Sequence, residues 1–87
     1  MKLNVYSDPQ HGWCKVKRSL LVKLGIDKNI SSFSYVRGDY VYLEEDRDMT
    51  IFITAMNNES IKFSFKETHG NRSSRIRNYD RYVVIDE

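Results

Sequence analysis

Between Phe33 and Met56 the spacing of apolar positions changes twice, and the changes outline a hairpin, an acidic corner and a helix. Phe33 and Tyr35 alternate with serines, Arg37-Gly38-Asp39 supplies a turn, and Tyr40 to Leu43 resumes a period of two in strand-favouring residues. Gly38 reaches positive φ without steric cost, which locates the turn. Val41 and Leu43 share one face of the second strand, the expected core, while Tyr40 and Tyr42 form an amphipathic face opposite. After Glu44-Glu45-Asp46-Arg47-Asp48, the residues Met49, Phe52, Ile53 and Met56 fall on one helical stripe that closes near Asn57-Asn58. Asp46 or Asp48 is the expected N-cap, because a carboxylate there meets unpaired N–H groups and the positive end of the helix dipole.

The same reading extends to both ends. Leu3 and Val5 alternate with polar residues over Lys2 to Tyr6, a first strand interrupted at Ser7-Asp8-Pro9-Gln10 because proline lacks a ladder donor. His11 to Val16 is a continuation of it or a second short strand, with His11 and Trp13 on one face and Cys14 and Val16 on the other. Arg18 to Leu24 reads as a short helix with Leu20, Leu21 and Leu24 inward and Gly25 just past its end. Asp27 to Ser32 is loop. Ile61, Phe63 and Phe65 alternate with Lys62, Ser64 and Lys66, a strand with one core face. His69 to Ser74 is polar loop, and Tyr82 to Ile85 is the expected last strand. The order predicts an α+β layer in a single domain, 1–87, with a mostly antiparallel sheet of four to five strands covered by two helices. The first topology to expect is a split βαβ, ferredoxin-like arrangement.

Composition narrows the class. With 40% apolar and 30% charged residues in 87, the chain has globular rather than disordered character, and at this size a homodimer would add useful buried area. No apolar stretch resembles a signal peptide or membrane span, so no membrane partner is expected. The single cysteine, Cys14, excludes an internal disulfide framework and a multi-cysteine zinc site, and points to the cytosol. A net charge of +2 is too small to announce a nucleic-acid binder. Its distribution says more: Lys15, Lys17 and Arg18 near the start, and Arg72, Arg75, Arg77 and Arg81 near the end, flank an acidic middle. A basic face forms if the two ends meet.

Three constellations carry candidate chemistry. In Asn71-Arg72-Ser73-Ser74-Arg75-Ile76-Arg77-Asn78-Tyr79, guanidinium groups, hydroxyls and backbone N–H groups are donors for phosphate or carboxylate. The plainer reading is a solvated loop whose arginines pair with the acidic corner. His11-Gly12-Trp13 offers a stacking surface beside a glycine that permits close approach; alternatively Trp13 closes the core with its N–H bonded. Tyr35, Tyr40, Tyr42, Tyr79 and Tyr82, interleaved with basic residues, suit stacking platforms or simply the cover of a small sheet.

Other chemistries find less support. Glu44, Glu45, Asp46 and Asp48 lack the calcium-loop spacing. His11 and Cys14, three apart on a strand, point to opposite faces. No nucleophile elbow, phosphate loop, dinucleotide pattern or histidine-rich zinc motif occurs, so no cofactor is expected.

His11-Gly12-Trp13, Tyr42-Leu43-Glu44-Glu45-Asp46-x-Asp48 and Asn71-Arg72-Ser73-Ser74-x-Ile76-Arg77-x-Tyr79 together resemble a family of small proteins from tailed-bacteriophage genomes. The match spans most of the chain. The resemblance implies a phage accessory protein acting in the cytoplasm of an infected bacterium, in host takeover or evasion of a host defence, and it brings no activity and no catalytic residues.

The first expectation is therefore a non-enzymatic binding protein. It would use His11, Trp13, Arg72, Ser73, Arg75, Arg77 and Tyr79 to hold an anionic ligand, nucleotide, nucleic acid or acidic host protein surface. The alternatives are a small hydrolase or nuclease, with His11 or His69 as base and a metal on the acidic corner, and a component of the virion or its assembly.

Overall fold

Alternating strand residues divide this chain between two unlike layers. The computed structural model describes residues 1–85. Six strands, β1 (Lys2–Ser7), β2 (Gly12–Lys17), β3 (Tyr35–Arg37), β4 (Tyr40–Glu44), β5 (Ser64–His69) and β6 (Asp80–Arg81), form one sheet in the order β5-β1-β2-β4-β3-β6. Two helices, α1 (Arg18–Lys23) and α2 (Asp48–Asn58), cover one face, and short 3-10 turns span Asp27–Asn29 and Arg75–Asn78. The α+β class is as the sequence predicts. The sheet has more strands than expected and is mixed, since β5 runs parallel to β1 while β1–β2, β2–β4, β3–β4 and β3–β6 are antiparallel.

The order is not that of a split βαβ unit, because the interruption at Asp8 is a tight hairpin turn. The Asp8 N–H donates to the His11 carbonyl at 2.8 Å, and the Asp8 carboxylate accepts from the N–H groups of Gln10 and His11. That side-chain mimicry of a turn makes β2 the antiparallel neighbour of β1, pairing Val5 with Cys14 and Tyr6 with Trp13. On the helix side, Leu3, Val5, Cys14, Val16, Val41 and Leu43 bury against Leu21, Phe52 and Met56. On the other side, Trp13, Tyr35, Tyr42 and Ile76 form a second apolar layer, with Tyr6, Tyr40 and Tyr79 packed around it.

Helix ends explain most local differences. The N-terminus of α2 is satisfied from four residues upstream: Glu44 accepts from the N–H groups of Asp46, Arg47 and Asp48. Asp46 therefore has no capping task. Asp48, the first helical residue, is buried and accepts instead from Ser31, Ser34 and Arg47. Both helices stop in the same way. In α1 the Ile26 N–H returns to the Leu21 carbonyl and the Gly25 N–H to that of Val22; in α2 the Ile61 N–H returns to Met56 and that of Ser60 to Asn57. The residue this stop holds left-handed is Gly25, φ 72°, in the first case and Ser60, φ 55°, in the second.

After that stop, Ile61 and Phe63 lie half-buried against the core outside any strand, and β5 begins at Ser64. It continues through Thr68 and His69 because β1 offers partners as far as Ser7. The last strand is two residues earlier than expected: β6 is Asp80–Arg81, and Tyr82 turns into the helix-side core, its hydroxyl donating to the Asp27 carbonyl. No helix among the described residues is long and apolar enough to cross a membrane.

Ser60→Gly should stabilise the fold by about 0.5–1 kcal/mol, because a left-handed Cβ is strained while glycine adds back some unfolded-state entropy. Gly25→Ser should cost about 1 kcal/mol for the same reason. Urea denaturation of the two variants measures both; equal and negligible shifts would mean that these stops are unstrained.

Candidate functional site

The chain's end reaches its beginning across the open face of the sheet. From Gly70, whose N–H donates to the Ser7 carbonyl at 2.7 Å, residues 70–79 cross the aromatic layer and deliver Ile76 among its rings. Two attachments hold this crossing. Ser74 caps the 3-10 turn, its Oγ accepting from the Ile76 N–H, while its own N–H donates to Asp8 Oδ2 at 3.0 Å. Arg77 grips the same carboxylate with both ends of its fork, Nε to Oδ2 at 2.7 Å and Nη2 to Oδ1 at 3.0 Å. The Asp8 carboxylate thus accepts five bonds, and the Arg77 fork, followed by the Ser74 N–H, holds it well below the usual carboxylate range. In return Asp8 raises the pKa of Arg77, whose guanidinium also lies 5.5 Å from the Trp13 ring centroid.

This arrangement divides the residues singled out from sequence into three groups. His11, Trp13 and Arg77 come together on one cleft of about 430 Å3, shared with Phe33, Tyr35, Glu45, Asp46 and Arg81. Its charges are of both signs, Arg77 is spent on Asp8, and Trp13 is only 3% exposed, so the indole serves mainly as the floor of the aromatic layer. Arg75 and Tyr79 line a different depression of about 340 Å3 with Tyr6, Lys15, Tyr42 and Ser74. Arg72 and Ser73 are exposed in the loop and line neither.

The Arg75–Tyr79 groove is the more coherent chemically. Its lining holds two cations, three phenolic rings and no carboxylate. Tyr42 and Tyr79 stand with centroids 5.1 Å apart, and burial pushes the Tyr42 phenol above its ordinary pKa, so it stays a neutral hydroxyl. Arg37 stacks on Tyr79 at 5.0 Å, and the Lys15 ammonium sits 4.2 Å above Tyr40. Tyr6 was not singled out from the sequence, and Lys15 only as part of the basic start of the chain rather than as a site residue. The available signal was alternation: Lys15 and Lys17 interleave with buried Cys14 and Val16, so both must share the face of Trp13.

The groups needed for covalent or metal chemistry are engaged elsewhere. Cys14 is wholly buried and burial pushes its thiol up to about 12, which suppresses the nucleophilic thiolate. His69 Nδ1 meets Ser7 Oγ at 2.9 Å, with no third group orienting the ring among the described residues, and His11 lies 6.2 Å from Trp13. Among the described residues no group of three or more His, Cys, Asp or Glu side chains is placed to hold a metal ion. The acidic corner is instead occupied with the start of α2, through Glu44 and Asp48.

No family model, curated protein or solved structure matches this chain.

Asp8→Asn should lower the melting temperature and flatten the acid limb of stability. An unfolded aspartate titrates near about 3.9 and the folded one well below it. The Asp8 contribution is then fully present above the unfolded value and is lost progressively as pH falls through the folded one. Melting curves taken from pH 6 down toward about 2 should diverge at the neutral end and converge at the acid end; parallel curves would show that the carboxylate is not held in this way. Cys14 should resist a thiol reagent in the native protein and react on unfolding, and fast native labelling would contradict its burial.

Proposed function

We propose that this is a non-enzymatic binding protein that holds an anionic partner on the open, aromatic face of its sheet. One observation carries the reading: the segregation of charge between the two sheet faces. Cross-strand register assigns Lys2, Lys15, Lys17, Arg37, Lys66 and Arg81 to the open face, with Glu44 as the one strand carboxylate beside them. Glu44 is committed to the α2 N–H groups. The remaining strand acids, Glu67 and Asp80, register on the helix side. A net charge of only +2 thus conceals an open face whose strand residues are mostly basic, which attracts anions.

Within that face the groove of Lys15, Arg75, Tyr6, Tyr42 and Tyr79 is the binding centre. Lys15 and Arg75 supply the charge, while the phenols give hydroxyl donors and ring faces. Of the residues anticipated from sequence, Arg75 and Tyr79 act here directly; Arg77 and Ser74 build the wall by closing onto Asp8. The resemblance of its motifs to small tailed-phage proteins is the ground for proposing an infected bacterial cytoplasm as the setting, with host takeover or evasion of defence as the role.

Retention on immobilised heparin at low salt tests the reading. The wild-type protein should be held and released by salt, and Lys15→Ala with Arg75→Ala should weaken binding roughly ten- to hundred-fold, from two lost charge-assisted contacts. Lys28→Ala with Lys62→Ala, which removes the same charge elsewhere, should leave retention nearly unchanged. Equal losses in the two double variants would reduce the effect to net charge and remove the groove from the site.

A further inference from the structure

Where β2 runs into α1, a second depression of about 520 Å3 opens between Lys2, Lys15, Lys17, Lys23 and Tyr40. Its floor is apolar, from Leu3, Val16 and Leu20, and its lining includes no carboxylate. Four lysines lining one depression with no carboxylate among them raise the local positive potential, which favours an anion there. Lys15 borders both this depression and the tyrosine groove, so a chain laid from Lys23 on α1, past the end of the sheet, to Arg75 on the crossing segment would pass along it.

Resting on the anion-binding reading of this face, we infer that the partner is a single-stranded nucleic acid. Its phosphates lie along Lys2, Lys15, Lys17 and Lys23, and its bases lie against the rings of Tyr6, Tyr40 and Tyr79. The lysines set the polymer's charge. Lysine is depleted at the centres of protein–protein interfaces, whereas a run of compact ammonium charges suits a phosphodiester backbone. The tyrosines set its strandedness. Tyr6 and Tyr79 are half-buried in a concavity walled by the crossing segment, and half-buried Tyr40 lines the neighbouring depression; in such places an unstacked base can lie on a ring and a base inside a duplex cannot. Two depressions bordered by one lysine also favour a strand over a lone nucleotide, whose charge would engage one of them. Lysines that meet phosphates and tyrosines that meet ring faces do not read base edges, so sequence preference should be weak.

Fluorescence anisotropy with the full chain and a labelled single-stranded oligonucleotide of about ten residues tests this, against a duplex of equal length, inorganic polyphosphate and poly-glutamate. The single strand should bind tightest, with log K falling linearly against log salt at a slope of about −2 to −3 for three or four neutralised phosphates. Lys15→Ala should make that slope shallower by about 0.7. Tyr79→Leu should weaken binding about ten-fold at unchanged slope, and Tyr79→Phe, which keeps the ring, should bind like the wild type. Circular dichroism melts confirm that each variant folds; if Tyr79→Leu does not, Tyr6→Leu makes the same test from β1. Duplex or polyphosphate binding as tightly as the single strand, or tyrosine variants without effect, would overturn the single-strand inference and leave the anion-binding reading standing. Preference for poly-glutamate would overturn the nucleic-acid inference in favour of an acidic protein partner. Absence of binding to every polyanion at low salt would overturn both.

Discussion

A buried carboxylate near the start of the chain and a guanidinium near its end hold this molecule's second layer in place. Asp8 is 4% exposed, sits in the turn between the first two strands, and accepts five hydrogen bonds. A buried charge is expensive unless it is paired and hydrogen-bonded, and only Arg77 and Ser74 complete the set. The crossing segment is therefore required by the turn, and the turn is ordered by the crossing segment. Sixty-nine residues of separation are closed by one pair.

Closure gives the sheet two unlike sides. The helix side is a conventional apolar core of aliphatic residues with Phe52 and Met56. The other side is a thin layer of rings under a short strap, and the strap covers only part of it. What it leaves open collects the lysines of β1 and β2 with Tyr6 and Tyr40, while three carboxylates have structural work. Glu44 caps α2, Asp48 ties its start to Ser31 and Ser34, and Asp8 holds the strap.

Local elements were legible in the sequence because their signals are local. The period-two alternation at Leu3–Val5 and Val41–Leu43, the stripe from Met49 to Met56, and the glycines at 25 and 38 each fix a short piece of backbone. Pairing was not legible. Nothing in SFKETH says that it runs parallel to β1, and nothing at Ser60 says that serine will take the place glycine takes in α1. For the candidate site, the expected meeting of the chain's two ends occurs, but through Asp8, which the sequence presents only as part of a proline turn. That pairing spends Arg77 on structure, hides Trp13, and passes the exposed chemistry to Lys15, Arg75 and the tyrosines.

The most direct measurement of this account uses the chain's single tryptophan. Trp13 lies beneath the Arg77 guanidinium and beside Tyr35, so its emission reports on whether the strap is seated. Acrylamide quenching of native Trp13 should be weak, and in Arg77→Ala it should rise together with a red shift of the emission, while far-UV circular dichroism from the two helices on the opposite face persists. Unchanged quenching and emission in that variant would mean that the strap stays down without its ion pair, and that the second layer does not depend on the contact between Asp8 and Arg77.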